Sequence, residues 1–373
     1  MPSTNHNRYR ARAAVQFEKI DDYIEPIVEL IATHDMTVEK AGGIHHIHSP
    51  FGDATFEATG NGFRLTAEAS DPGGLNRLKH ALVGPIGFIA ARENLDIQWE
   101  GDHAAPALPD DLRILRVLTI QDLSPHFRRI VFKGENLERY DRKDQLHCRL
   151  IFQPRGIATP RWPLLDHRGH VVWQDNIAVP TRVYTIRFID TARQTITIDF
   201  ALHAHPGPAT MWAMNARADD VVGILGPAAN GPAPADFYVL AGDETALPGI
   251  ARILEYLPET ATGHAFIEVD TSADKLPLSS SSGVSIQWLY RNGKGAGTTT
   301  LLQDAIRSIR WPECPAGIFF WGGCEHKAFS AIHRHLRKEV GLPRDRVVLY
   351  SHWHRSLSEE DIIARGGDAY LPQ

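Results

Sequence analysis

Beyond residue 235, four short apolar runs constrain this chain more than any other feature. They are Phe237-Tyr238-Val239-Leu240-Ala241, Ala265-Phe266-Ile267-Glu268-Val269, Ser285-Ile286-Gln287-Trp288-Leu289 and Ile318-Phe319-Phe320-Trp321. Each has the length of a strand, and the first and last lack the alternation of a half-exposed one. Helical segments lie between or after them, at Ile250 to Leu257, Thr300 to Ile309 and Lys327 to Val340. Strand and helix in alternation predict a doubly wound α/β domain, whose ligands sit beyond the carboxyl ends of the strands. Gly242-Asp243 and Gly322-Gly323-Cys324-Glu325 stand at such ends. No GxGxxG follows the first strand, which disfavours a dinucleotide fold of the dehydrogenase kind.

Upstream the texture differs. Arg113 to Leu118, Phe127 to Phe132 and His147 to Phe152 alternate and are separated by Pro, Gly and Asp, as in an antiparallel β-barrel that closes with Val221 to Pro227. Within it, Arg182-Val183-Tyr184-Thr185-Ile186-Arg187 reads as a strand, with Arg182, Tyr184 and Ile186 on one face. Ile196 to Phe200, after the turn-like Asp190 to Gln194, predicts its hairpin partner. Taken alone this is either a solvated strand face or a cradle for a planar anion, the arginine on phosphate and the ring against a heterocycle. His203-Ala204-His205 then leads through Gly207-Pro208-Ala209-Thr210 into Met211, Trp212 and Ala213, a loop becoming a helix. A helix start suits a pyrophosphate. His203 and His205 have no third ligand nearby in sequence, so no metal site is expected there. Between Pro154 and Pro180 runs a long loop bearing Arg155, Arg161, Trp162, His167, Arg168 and Trp173, either a lid or an insertion.

The first hundred residues predict a small α+β module. Ile20, Tyr23, Ile24, Ile27, Leu30 and Ile31 share a helix face, and Thr55 to Ala58 with Phe63 to Ala67 form a hairpin about Gly60-Asn61-Gly62. Asp71 and Pro72 start a second helix with a stripe of Leu75, Leu78, Leu82 and Ile86, and Leu95 to Trp99 is expected as a last strand. His45, His46 and His48 alternate faces on a strand and are not expected to hold a metal. Length sets the domain count: 373 residues suggest two or three domains. With 43% hydrophobic and 23% charged residues and a net charge of -6, the chain reads as globular and not as a nucleic-acid binder. Cys148, Cys314 and Cys324 lack metal or disulfide spacing. No signal peptide or membrane span is read, so a cytoplasmic protein without membrane insertion, monomeric or weakly homo-oligomeric, is expected.

Five separated pieces then occur in one order: RVYTIR, Asp199-Phe200-Ala201-Leu202-His203, GPATMWA from Gly207, GDETALPGI from Gly242 and WGGCEH from Trp321. In these the region from about Leu112 onward resembles the siderophore-interacting protein family, a branch of the ferredoxin-reductase-like flavoproteins. The preceding module resembles the small α+β domain found before the flavin domain in some relatives. The resemblance implies a multidomain chain: residues 1–105 the small module, 106–235 an FAD-binding β-barrel, and 236–373 the α/β domain for NADPH or NADH. It places Arg182 on the flavin phosphates, Tyr184 against the isoalloxazine and Thr185 near its N5. Asp199 and His203 fall along the flavin, with Gly207, Pro208, Ala209, Thr210 and Trp212 at its pyrophosphate end. Asp243, Glu244, Thr245, Gly322, Gly323 and Glu325 face the nucleotide, the acids contacting sugar or capping a helix.

The substrate so implied is a ferric siderophore, reduced so that Fe(II), a poorer partner for hard oxygen ligands, is released. Electron transfer belongs to the flavin, so no catalytic acid or nucleophile is expected, only cations that draw in an anionic chelate. The family's barrel lysine is matched by Arg149, and its C-terminal Tyr-Trp-Arg by His352-Trp353-His354, with Arg355 one place later. Met211 stands where some relatives carry a basic residue. Arg149, His354 and Arg355 are the expected substrate contacts. A flavin reductase with another acceptor, or a non-catalytic siderophore-binding protein, are the alternatives.

Overall fold

The computed structural model describes residues 8–32, 36–157, 159–203 and 206–367; His205, paired above with His203, lies outside them. The chain divides into two compact units. One holds the residues up to Leu112 with Gly156–Val179 and a segment starting at Asp361, and the other holds Arg113–Arg155 and Pro180–Glu360.

The first unit opens with β1 (Tyr9–Gln16), α1 (Ile20–Ala32), β2 (Thr37–Ala41), β3 (Ile44–Ser49), β4 (Gly52–Thr59) and β5 (Gly62–Ala69), followed by α2 (Pro72–Ile89) and β6 (Glu100–Gly101). Its antiparallel sheet has the order β2-β3-β4-β5-β1-β6. Ala11, Ala13, Val15, Phe56, Phe63 and Leu65 come from alternate strand positions and bury against Ile20, Ile24, Ile27 and Ile31 of α1 and Leu75, Leu78, Leu82 and Ile86 of α2. Asp71 caps α2, its carboxylate accepting from Gly74 N at 2.9 Å. Leu95 to Trp99 differs from expectation. The ladder to β1 begins only at Glu100, and Trp99 is held through its side chain, the indole N–H donating to Arg168 O at 3.2 Å.

β7 (Arg113–Ser124), β8 (Phe127–Lys133) and β9 (Gln145–Phe152) begin the second unit, which the chain leaves at Gly156. The long loop now forms a short hairpin, β10 (Pro163–Leu165) with β11 (Val171–Trp173), that folds with the α+β module. Lys79 of α2 pins it. Its side chain has 0% exposure, and Nζ donates to Asp102 O at 3.0 Å and His167 O at 3.1 Å. The ring of His80 lies 2.9 Å from Gly169 O. Burial lowers the Lys79 pKa. Lys79→Met keeps the stem but strips both carbonyls of their charged donor, so a loss of about 1–3 kcal/mol in urea unfolding is expected. Faster tryptic cleavage after Arg168 should accompany it.

From Pro180 come β12 (Thr181–Thr185), β13 (Phe188–Asp190), β14 (Thr195–Ala201), α3 (Pro208–Asn215) and β15 (Val221–Asn230). The sheet runs β12-β9-β15-β7-β8-β14-β13 and is antiparallel. The rings of Tyr184 on β12 and Phe200 on β14 lie 4.5 Å apart. The sheet's two ends therefore meet, and it curls into a barrel around Leu115, Phe132, Leu150, Ile198 and Val222. The expected hairpin of RVYTIR with Ile196 to Phe200 is corrected. β12 stops at Thr185 and pairs with β9, while β14 pairs with β13 and β8. Between the two ladders Ile186 N donates to Leu146 O and Arg187 N to Thr197 O, and this bend separates them.

β16 (Phe237–Gly242), α4 (Leu247–Tyr256), β17 (Thr262–Val269), β18 (Gly283–Tyr290), α5 (Leu301–Arg307), β19 (Ile318–Glu325), α6 (His326–Arg334) and β20 (Val347–Trp353) build the α/β region, followed by α7 (Glu359–Arg365). Its parallel sheet has the order β18-β17-β16-β19-β20. Val239, Ala241 and Phe320 bury on one face, Leu240, Phe319 and Trp321 on the other, as unalternated apolar runs require. Among the described residues no helix is long and apolar enough to cross a membrane.

Candidate functional site

β12 is the first strand in the sheet order, and among the described residues its one ladder is to β9. Tyr184 is set by aromatic neighbours, with Phe152 at 6.2 Å and Phe200 at 4.5 Å between centroids. Trp212 packs into the same cluster, 5.3 Å from Phe152, and so seats α3 on the barrel. Thr185 is buried opposite His147 of β9. Arg182 donates Nη1 to Thr181 O at 2.8 Å and Nη2 to Glu360 at 2.9 Å. Glu360 is 63% exposed, and such a surface pair is worth little against a phosphate.

At the start of α3, Gly207 caps without a side-chain oxygen and Pro208 takes the first helical place. Among the described residues the first-turn N–H groups of Ala209 and Thr210 thus have no side-chain cap, and nothing stands within 4 Å of where a Gly207 Cβ would be. Open space before uncapped donors fits a pyrophosphate. Arg182, Tyr184, Thr185 and Gly207 to Thr210 therefore fit FAD. Asp199 serves the barrel instead, its carboxylate taken by Arg129 at 2.7 and 2.8 Å and approached by Arg187 at 3.9 Å. The ring of His203 lies 6.3 Å from that of Trp353.

Strand order reverses between β16 and β19, which opens a crevice at their carboxyl ends. Gly242 and Gly322 keep those ends tight, since a Cβ on either would overlap a carbonyl oxygen of the other strand. Asp243, 4% exposed, is the knot of this crevice. It accepts from Thr245 N at 2.9 Å and Thr245 Oγ1 at 2.5 Å, and from Trp353 Nε1 at 2.8 Å and Glu325 N at 3.1 Å. Glu325 caps α6 through Lys327 N at 2.7 Å. Glu244 and Glu268 share Arg291, with Nη1 at 3.0 and 3.5 Å, and burial pushes both carboxyls up. Of the expected nucleotide contacts, Asp243, Thr245, Gly323 and Glu325 come together. Their acids cap and tie rather than offer free charge.

Sequence reasoning missed His147 and gave His352 no place in the crevice. His147, 4% exposed, packs between Trp321 at 6.1 Å and His352 at 5.9 Å, and neither ring nitrogen has a partner among the described residues. Burial lowers its pKa to about 3 and that of His352 to about 4. His352 and His354 part company: Nδ1 of His352 lies 2.9 Å from Thr245 Oγ1, whereas His354 stacks on His326 at 3.9 Å. Arg149 donates to Thr181 Oγ1 at 2.9 Å, and Arg355 is exposed beside Gly297. His126, Asp270 and Asp274 also cluster. There Asp274 is occupied by His126 Nδ1 at 2.9 Å, Ser124 Oγ at 3.1 Å and Thr271 N at 3.2 Å, so the group ties the barrel to the α/β region.

With this geometry in place, the chain was compared with known proteins. Residues 235–356 match the family described as siderophore-interacting protein, 116–231 the siderophore-interacting FAD-binding domain, and 12–100 a family described as uncharacterized protein conserved in bacteria. The NADPH-dependent ferric-chelate reductase of Escherichia coli is 31% identical, over 66% of this chain and 94% of its own. Ferric vibriobactin reductase of Vibrio cholerae is 29% identical, over 66% and 91%. Among solved structures, the siderophore-interacting protein of Aeromonas hydrophila is 30% identical, with a TM-score of 0.58 over 69% of this chain and 97% of that one. A siderophore utilization protein from T. fusca is 32% identical, with a TM-score of 0.56 over 69% and 96%. A barrel carrying a helix start without a side-chain cap, a switch-point crevice without GxGxxG, and these matches over both parts lead to one conclusion: this chain belongs to the siderophore-interacting protein family.

Proposed function

We propose that the protein is a cytoplasmic, FAD-dependent ferric-siderophore reductase that takes electrons from NADPH or NADH and releases Fe(II). The observation that carries this is the uncapped start of α3, a helix whose Trp212 packs on the same Phe152 and Phe200 as Tyr184, in the same unit as the crevice at Asp243 and Gly323. FAD, when bound, links a two-electron donor to a one-electron acceptor. The chain's own residues do the rest. Ala209 and Thr210 N–H groups and Arg182 bind phosphate, Tyr184 orients the ring system, and Thr185 fixes its edge. The tied acids hold the crevice floor in place through their hydrogen bonds to Thr245, Trp353 and the start of α6. Arg149, His354 and Arg355 are the proposed substrate contacts, and residues 106–235 and 236–373 the proposed working domains of a monomer or weak homo-oligomer.

The test is anaerobic stopped-flow mixing of the yellow protein with NADPH or NADH, then with ferric chelates. Chelate-dependent reoxidation is expected, and its absence would sink the reductase reading. Arg149→Ala should slow reduction of anionic chelates about 10-fold more than of neutral ones, with flavin content unchanged. Equal losses for both would remove Arg149 from substrate docking.

A further inference from the structure

The crevice holds an imidazole whose protonation state is set by its neighbours. The Asp243 carboxylate only accepts, and Thr245 spends its single hydroxyl proton on it at 2.5 Å. Thr245 Oγ1 must therefore accept from His352 Nδ1, 2.9 Å away. His352 thus carries its proton on Nδ1, and Nε2 presents a lone pair. Burial keeps the ring neutral, with a pKa of about 4. No hydrogen bond reaches Nε2 among the described residues. The ring lies flat over Gly323, where a Cβ would fall 2.5 Å from Nε2 and 2.6 Å from Nδ1. It also lies beside His147, which faces Thr185 across the β9–β12 ladder. Nε2 accordingly stands beside Gly323 at the carboxyl end of the parallel sheet, on a ring next to the histidine that faces the barrel strand assigned to the flavin edge.

A fixed neutral acceptor there calls for an N–H donor on the ligand. The reacting ring of a pyridine nucleotide has one, the carboxamide NH2. We propose that His352 Nε2 accepts a hydrogen bond from the nicotinamide carboxamide, making His352 a positioning residue set by the Asp243–Thr245 relay. This rests on the reading that the donor nucleotide binds in this crevice.

The experiment uses FAD-loaded full-length protein and measures dissociation constants for three ligands by flavin absorbance and calorimetry. They are the oxidised nucleotide of the preferred donor, its 3-acetylpyridine analogue, in which methyl replaces NH2, and the matching adenosine fragment lacking the pyridine. The native protein is expected to favour the carboxamide over the acetyl ligand by about 10-fold. His352→Phe should bind both alike, His352→Gln should restore part of the preference through its amide oxygen, and fragment affinity should not move. Thr245→Val, which keeps the imidazole but frees its tautomer, should lose most of the preference and covers the case in which the Phe variant folds poorly. A preference that persists in His352→Phe and Thr245→Val, or that is missing from the native protein, overturns the proposal. If none of the three ligands binds, the donor reading fails as well, which separates the two failures.

Discussion

Gly323→Ala is expected to keep its flavin and lose reduction by the pyridine nucleotide by about 100-fold in kcat/KM. A Cβ at this position would stand 2.5 Å from Nε2 and 2.6 Å from Nδ1 of His352 and closer still to Cε1, far inside the roughly 3.5 Å at which carbon contacts become attractive. The ring is flanked by Tyr350, stacked at 6.0 Å, and by His147 at 5.9 Å. It must swing away, which breaks its bond to Thr245. A displacement of about 1 Å at a reacting centre costs about 100-fold. The proposed flavin contacts lie on β12 and at the start of α3, so flavin content is expected to be spared. Stopped-flow reduction together with the flavin-to-protein ratio checks this, and an unchanged reduction rate would show that the strand end does not position the donor.

The second large effect is acid destabilisation from two buried imidazoles. In the folded chain His147 and His352 have pKa values lowered to about 3 and about 4, chiefly by burial, while the unfolded chain titrates near 6.5. Above about pH 6.5 both states bind the same protons here, and the stability is fully present. As pH falls below that, the unfolded chain takes up protons that the folded chain refuses, and stability drops by about 1.4 kcal/mol per pH unit for each histidine. At pH 5 the pair should have cost about 4 kcal/mol, with the loss continuing toward pH 4 and 3. Denaturant unfolding from pH 8 to 5 measures the slope, and His147→Phe should remove about half of the histidine contribution. The comparison of variant with native protein isolates this from carboxylates elsewhere. Identical slopes would mean that His147 is protonated in the fold.

Local periodicity made many of the elements legible. The stripes of α1 and α2, the cap at Asp71 and the apolar runs of β16 and β19 follow from side-chain spacing alone, because each element must bury one face or both. The same holds for Gly207-Pro208, whose backbone chemistry specifies a helix start. Spacing does not choose a partner, however. β12 alternates equally well beside β14 or β9, and the bend at Ile186 and Arg187 decided for β9. The segment Gly156–Val179 carries no pattern that assigns it to the α+β module, and the carbonyls that meet Lys79 did so only in three dimensions.

For the site the division has the same physical cause. The ordered motifs determined the family and the strand proposed to hold a flavin, since each is a short contiguous stretch whose backbone or side chains act locally. What the tertiary structure decided is the state of the charges. Asp243 and Glu244 are each spent on a long-range partner, Trp353 and Arg291, whereas Glu325 caps the helix that follows it, through Lys327 N. His352 stood in sequence where the family's C-terminal tyrosine is expected; burial keeps its ring neutral, and Thr245, 107 positions away, fixes which nitrogen carries the proton. Hydrogen-bond direction and desolvation belong to neighbours in space, and no spacing along the chain encodes them.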